Sequence, residues 1–275
     1  MLMANPSHVG KFVCIGGGDM QGGETEPIDR EIIRATGKDQ PLAVFIPTAS
    51  FDDRDYTQGF TRFYGNLGCR VEPLFLWQGY QREEIETIIQ ETKWNESPHD
   101  WEFRGDRSRM EALIGEADLI YVGGGNTKRM IEFWRSAGVD VALKQARDRG
   151  CVLSGLSAGC ICWAEFGNSD FALTEGLGRN TARTECLGFV PFTLCPHTMR
   201  EPFRLEEFGA MMQEQDGIGV GIDDGCALQI DGGRFRVLTS IPDAKAHVLV
   251  SKNHEIVAYR PLPPQSDWSE LDSIG

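Results

Sequence analysis

The stretch of this sequence most able to do chemistry is Gly155-Leu156-Ser157-Ala158-Gly159. It follows an apolar run at 151–154 and precedes a helix-like stretch at 160–164. That setting puts the serine on a sharp strand-to-helix turn, its hydroxyl lifted above a sheet. Glycine at 155 and 159 removes the side chains that would keep the turn from closing. A plain glycine turn suits the same five residues, so the question is whether a base is in reach. A serine hydroxyl alone is a poor nucleophile. Of the five histidines, His8 lies in the N-terminal tail, His99 in a polar loop, and His247 and His254 in late hairpin strands. His197 closes the run Leu194-Cys195-Pro196, 40 residues past the serine, and is the one placed at a strand end downstream of it. The carboxylate that would orient the imidazole stays open. Glu165, Asp170, Glu175 and Glu185 lie between Ser157 and His197, and Asp223-Asp224 follow. Spacing does not choose among them, and the Asp223-Asp224 pair suits a hairpin or a substrate contact equally.

Two glycine-rich turns follow strand-like runs, Gly16-Gly17-Gly18 and Gly123-Gly124-Gly125. A GxGxxG frame would need glycine at Gln21 or Lys128, and neither turn ends in the Gly-Lys-Ser/Thr of a phosphate loop. Nucleotide binding is therefore disfavoured. What the glycines do offer is unshielded backbone N–H groups at the C-terminal ends of strands, where open α/β sheets place their sites. Arg200 begins near the same end, in Thr198-Met199-Arg200-Glu201-Pro202-Phe203-Arg204. Pro202 suits the first turn of a helix whose buried face would hold Phe203, Phe208 and Met211 or Met212.

The elements that must position these residues alternate. Strand-like runs at 12–15, 42–46, 71–76, 119–122 and 151–154 are separated by helical patterns at 56–67, 82–91, 109–116, 127–136 and 139–149. Short buried runs alternating with helices imply a mostly parallel sheet covered on both faces. After about residue 215 the helices stop, and runs at 219–222, 226–230, 235–238, 246–250 and 255–259 read as antiparallel strands. Gly232-Gly233 and Lys252-Asn253 are the expected hairpin turns. The expectation is one α/β domain over 1–260, one sheet completed by those C-terminal strands, and a loose tail at 261–275. Residues 93–107 form a polar loop with Trp94 and Trp101, suited to overhang a site or to lie on the surface.

Composition narrows the partners. The chain has 275 residues, 41% of them apolar and 25% charged, with a net charge of −14. Such a surface repels phosphate backbones and anionic membranes, which excludes nucleic acid as the expected partner. No apolar run approaches the length of a membrane span. The eight cysteines show no metal-ligand spacing, and no leader pattern opens the chain. Reduced thiols in the cytoplasm, and no metal, are the expectation. Net charge does not set the oligomeric state, and a homodimer is left open.

Three blocks in this order resemble peptidase family S51, the family of dipeptidase E and the cyanophycinases: Tyr121-Val122-Gly123-Gly124-Gly125-Asn126-Thr127, Gly155-Leu156-Ser157-Ala158-Gly159 and Cys195-Pro196-His197. Ile15-Gly16-Gly17-Gly18 adds to the likeness, which spans about residues 11–250. The resemblance implies a flavodoxin-like fold akin to class I glutamine amidotransferases, and a serine peptidase without cofactor acting on short peptides. It implies Ser157 as nucleophile, His197 as base and Asp170 as the orienting acid, in the chain order Ser, Asp, His. The Gly124 and Ala158 N–H groups would form the oxyanion hole, and Asn126 and Arg200 would bind substrate, with Arg200 reading an N-terminal aspartyl side chain. A cyanophycinase-like β-aspartyl or other acyl hydrolase would share the catalytic residues. A catalytically silent member binding a small acidic ligand would be expected to lack the serine or histidine. Leu156, the Cys160-Ile161-Cys162 run and the 93–107 loop depart from the family pattern and bear on substrate range.

Overall fold

Four short apolar runs and the more polar Arg-Val-Glu-Pro form the parallel strands β1 (Lys11–Ile15), β2 (Leu42–Ile46), β3 (Arg70–Pro73), β4 (Leu119–Val122) and β5 (Val152–Leu156). This computed structural model describes residues 10–81, 83–85, 87, 102–171 and 180–275. Every residue of β2 and β4 is buried, as a strand covered on both faces requires, whereas β3 alternates at the sheet edge. Along β1, Phe12 and Cys14 face one core, and Val13 and Ile15 the other. The first core is closed by α3 (Arg107–Glu116), α4 (Thr127–Ala137) and α5 (Val139–Asp148), through Met110, Met130, Phe133 and Leu143. The second is closed by α1 (Glu26–Ala35) and α2 (Arg54–Asn66), through Ile28, Ile32, Phe60 and Tyr64. Asp53, Asp106 and Asn126 cap α2, α3 and α4 by accepting N–H bonds from Tyr56, Arg109 and Arg129.

The expected single sheet is instead two. The larger has the order β14-β11-β10-β1-β5-β4-β2-β3, with β10 (Cys226–Asp231), β11 (Arg234–Thr239) and β14 (Ser269–Glu270) added antiparallel beyond β1. The smaller has the order β13-β12-β9-β8-β6-β7, from β6 (Ala164–Ser169), β7 (Ala182–Glu185), β8 (Val190–Cys195), β9 (Gly217–Ile222), β12 (Ala246–Lys252) and β13 (Glu255–Leu262). The periodicity of the late strands does not say which sheet each joins. β9 belongs to the small sheet and β10 to the large one, so the chain changes sheets at Asp223-Asp224-Gly225.

Two smaller expectations are also corrected. The tail at 261–275 is not loose: Ser269 and Glu270 pair with Phe235 and Arg234, and Leu271 and Ile274 are buried. Apolar surface in the last five residues is enough to dock it. The late turn shifts by one residue to Asn253-His254, both at positive φ between the paired Lys252 and Glu255, as a two-residue hairpin turn demands. Most of the helix expected at 82–91, residues 93–101 of the polar loop, His8 and His99 lie outside the described residues. Among the described residues no helix is long and apolar enough to cross a membrane.

A buried acid makes the fold pH-sensitive. Asp29 accepts hydrogen bonds from Tyr64 and Thr25, yet burial raises its pKa to about 6. In the unfolded chain an aspartate titrates near 3.9, so the folded state holds the proton more tightly. Stability from this group is full at low pH and falls as pH rises from about 4 to about 6, by roughly 3 kcal/mol. Asp29→Asn should flatten that fall and raise the urea midpoint at neutral pH. An unchanged pH dependence of unfolding would refute it.

Candidate active site

The C-terminal ends of β1, β4 and β5 bring the Gly16, Gly123 and Ser157 turns together. Ser157 has φ 58° and ψ −111°, a left-handed conformation that costs a non-glycine residue about 1–3 kcal/mol. Its N–H extends the ladder to the Ile15 carbonyl at 3.1 Å, and its carbonyl accepts from Cys160 N at 2.9 Å to open α6 (Ala158–Ile161). The flanking glycines are sterically required. A Cβ on Gly155 would stand 2.5 Å from the Val122 carbonyl oxygen, and one on Gly159 only 2.0 Å from it. The turn closes against β4 because neither has a side chain.

His197 follows β8 and Pro196, also in a left-handed conformation (φ 59°), with its N–H on the Gly16 carbonyl at 3.2 Å. Its Nε2 lies 2.9 Å from Ser157 Oγ, and its Nδ1 lies 2.9 Å from Asp224 Oδ1. Asp224 Oδ2 accepts the Arg200 N–H at 3.1 Å. Burial alone would raise the Asp224 carboxyl; the His197 hydrogen bond and charge, then the Arg200 N–H and charge, outweigh it and hold the pKa below the ordinary carboxylate value. Gly17 makes room for this contact, since a Cβ there would sit 2.1 Å from Asp224 Oδ1 and 2.5 Å from His197 Nδ1. In the tautomer with Nδ1–H donating to Asp224, Nε2 is free to accept the serine proton.

The carboxylate on the imidazole is thus Asp224, not Asp170. Asp170 follows β6, its side chain 45% exposed and 3.8 Å from the buried Arg204 guanidinium. Arg204 belongs to α7 (Arg204–Met212) and holds Asn168 and Glu201 in place. Glu165 is exposed, Glu185 pairs with Arg135 at the surface, Asp223 faces His247, and Glu175 lies outside the described residues. The chain order is Ser, His, Asp. The sign of Asp224 in the sequence is a pair of aspartates ending an apolar run after His197, but nothing local separates it from Asp223.

The remaining expected residues fall as follows. A Cβ on Gly124 would lie 3.4 Å from Ser157 Cβ, so its backbone borders the serine, and its N–H donates to the Tyr56 hydroxyl at 3.3 Å. Burial pushes the Tyr56 phenol up to about 12 and keeps it protonated; this neighbour has no signal in the sequence. Ala158 carries the first N–H of α6, an amide without an intrahelical partner. Asn126 spends its side-chain oxygen capping α4. Arg200 is half exposed and its guanidinium pairs with Glu24, just past the Gly16–Gly18 turn. Cys160 offers no rival nucleophile, for burial pushes its thiol well above the ordinary value. Among the described residues no three metal-ligating side chains come together.

The family model for peptidase family S51 matches residues 12–94 and 102–238. The uncharacterized peptidase YgaJ of Bacillus subtilis strain 168 is 31% identical over 92% of this chain and 97% of its own length. Peptidase E of Streptomyces coelicolor is 31% identical over 58% of this chain and 65% of its own. Two solved structures share the fold. A peptidase from an acI-B1 Actinobacterium aligns at TM-score 0.63 and 18% identity over 96% of this chain and 98% of that one. A Listeria monocytogenes EGD-e protein described as a peptidase E aligns at 0.57 and 20% over 84% and 98%. An extended family match and a full-length relative at that identity decide the matter: this chain belongs to peptidase family S51.

Proposed function

We propose that the chain is a serine peptidase acting on short peptides through an acyl-enzyme. The unbroken line from Ser157 Oγ through His197 to Asp224, both contacts 2.9 Å, carries this reading. His197 Nε2 takes the Ser157 proton as Oγ bonds to the scissile carbonyl carbon. The carbonyl oxygen becomes an oxyanion facing the Ala158 and Gly124 N–H groups, the latter released from Tyr56. The C–N bond then breaks and His197 gives its proton to the departing amine. Water, deprotonated by His197, adds to the acyl carbon, and Ser157 leaves with that proton. Asp224 holds the Nδ1–H tautomer throughout. The fold supports the comparison with flavodoxin-like and glutamine amidotransferase-like domains. Numbered from β2, the parallel strands lie in the order 2-1-3-4-5, with β1 in the fifth place. Eight free thiols support a cytoplasmic setting.

The favoured substrate is a peptide with an N-terminal aspartyl residue, because a chain of charge −14 needs a local cation to hold a carboxylate. Arg200 supplies it by exchanging Glu24 for the substrate. Hydrolysis of Asp-X, β-Asp-X and Ala-X dipeptides, read beside fluorophosphonate labelling, tests the reading. Asp-X cleavage with Ser157 labelled is expected; no labelling and no cleavage of any member refutes it. Arg200→Met should cost about 10-fold in kcat/KM on Asp-X, since a half-exposed pair is screened. Ala-X should be almost unaffected. An equal loss on both would remove aspartate recognition.

A further inference from the structure

We propose that Thr198, Asp223 and His247 form a positioning device that holds His197 in its working conformation. The inference rests on the serine-peptidase reading above. Asp223 Oδ1 accepts the Thr198 hydroxyl at 2.7 Å and faces His247 Nε2 at 3.0 Å, while Oδ2 accepts the Lys245 N–H at 3.0 Å. His247 Nδ1 meets the Tyr259 hydroxyl at 2.9 Å. Asp223 and His247 are both buried. Two consecutive aspartates at the crossing between sheets therefore grip two consecutive residues beyond β8: Asp224 takes His197, and Asp223 takes Thr198.

The left-handed backbone of His197 persists only if its neighbours over-determine it. The N–H side is tied to Gly16, and the Thr198 side is tied to the Ile222 carbonyl and to Asp223. Freed from Asp223, the peptide after His197 can relax and carry the imidazole off the serine. Asp224 is bonded directly to Asp223, so the same anchor sets the orienting carboxylate. Gly221 pairs with His247 across β9 and β12. A Cβ on it would stand 3.0 Å from Thr198 Cγ2, so Thr198 packs closely over the glycine. The charged and titratable groups around it are His197, Asp224 and Cys226, His247 on β12, Tyr259 on β13, and Arg200 beyond Thr198. Burial would raise the Asp223 carboxyl, but bonds from His247, Thr198 and Lys245 hold it below the ordinary value, so it stays an acceptor.

The test measures the rate of fluorophosphonate labelling at Ser157, and kcat and KM on the best dipeptide, across the pH range of activity. Thr198→Val should slow labelling and kcat roughly 10- to 100-fold, the scale of a small misplacement of a catalytic group, with KM near wild type. Thr198→Ser, which restores the hydroxyl, should come back to within a few-fold. His247→Gln should also slow labelling, and combined with Thr198→Val should add little, because both act through Asp223. Equal losses for valine and serine at 198, or labelling of Thr198→Val at the wild-type rate, overturn the positioning role while leaving the peptidase reading intact. A wild type that is not labelled at Ser157 removes that reading, and this role with it.

Discussion

Ser157→Ala should lower kcat by about 10³-fold or more while leaving the fold in place. Alanine retains the left-handed turn, and the lost hydroxyl contacts only His197 among the side chains described around it. No neighbouring group can replace it. Cys160 is three residues on, but it is buried and its thiol is held protonated. Circular dichroism and the melting temperature should match the wild type, and fluorophosphonate labelling should vanish. Wild-type turnover by the alanine variant would end the serine-peptidase reading.

Asp224→Asn should cost about 10³- to 10⁴-fold in kcat, whereas Asp170→Asn should stay within a few-fold. Asparagine can donate its amide N–H to His197 Nδ1, which stabilises the opposite tautomer. Nε2 then carries the proton and can no longer accept one from Ser157. Stability gives a second readout. The folded pKa of Asp224 lies below its unfolded value, so its contribution is present above about pH 4 and is lost as pH falls through the folded pKa. The asparagine variant should lack that loss on acidification. If Asp170→Asn were the damaging change, the acid at His197 would have been misidentified.

The two carboxylates show where local reading stops. Asp170 lies in the stretch between serine and histidine, and matched the expected order of roles, yet β6 directs it toward Arg204 and solvent. Asp224 lies beyond α7 and a whole further strand, and reaches His197 because β9 ends in one sheet and β10 begins in the other. Gly17 reads in the sequence as one residue of a glycine-rich turn, and the constraint the fold puts on it is the contact between Asp224 and His197.

What the sequence determined by itself is whatever rests on neighbours in the chain. The alternation of apolar runs and helices specified the parallel α/β half, because burial on both strand faces and on one helix stripe is written into adjacent residues. The elbow was legible for the same reason: five consecutive residues contain both the hydroxyl and the glycines that let its turn close. Tertiary structure alone decided the partition of late strands between two sheets, the docking of the final residues, the acid beside His197 and the pairing of Arg200 with Glu24. The first three depend on which sheet a late strand joins. Strand periodicity specifies a face but not a neighbour, so that choice is made by packing across the whole molecule.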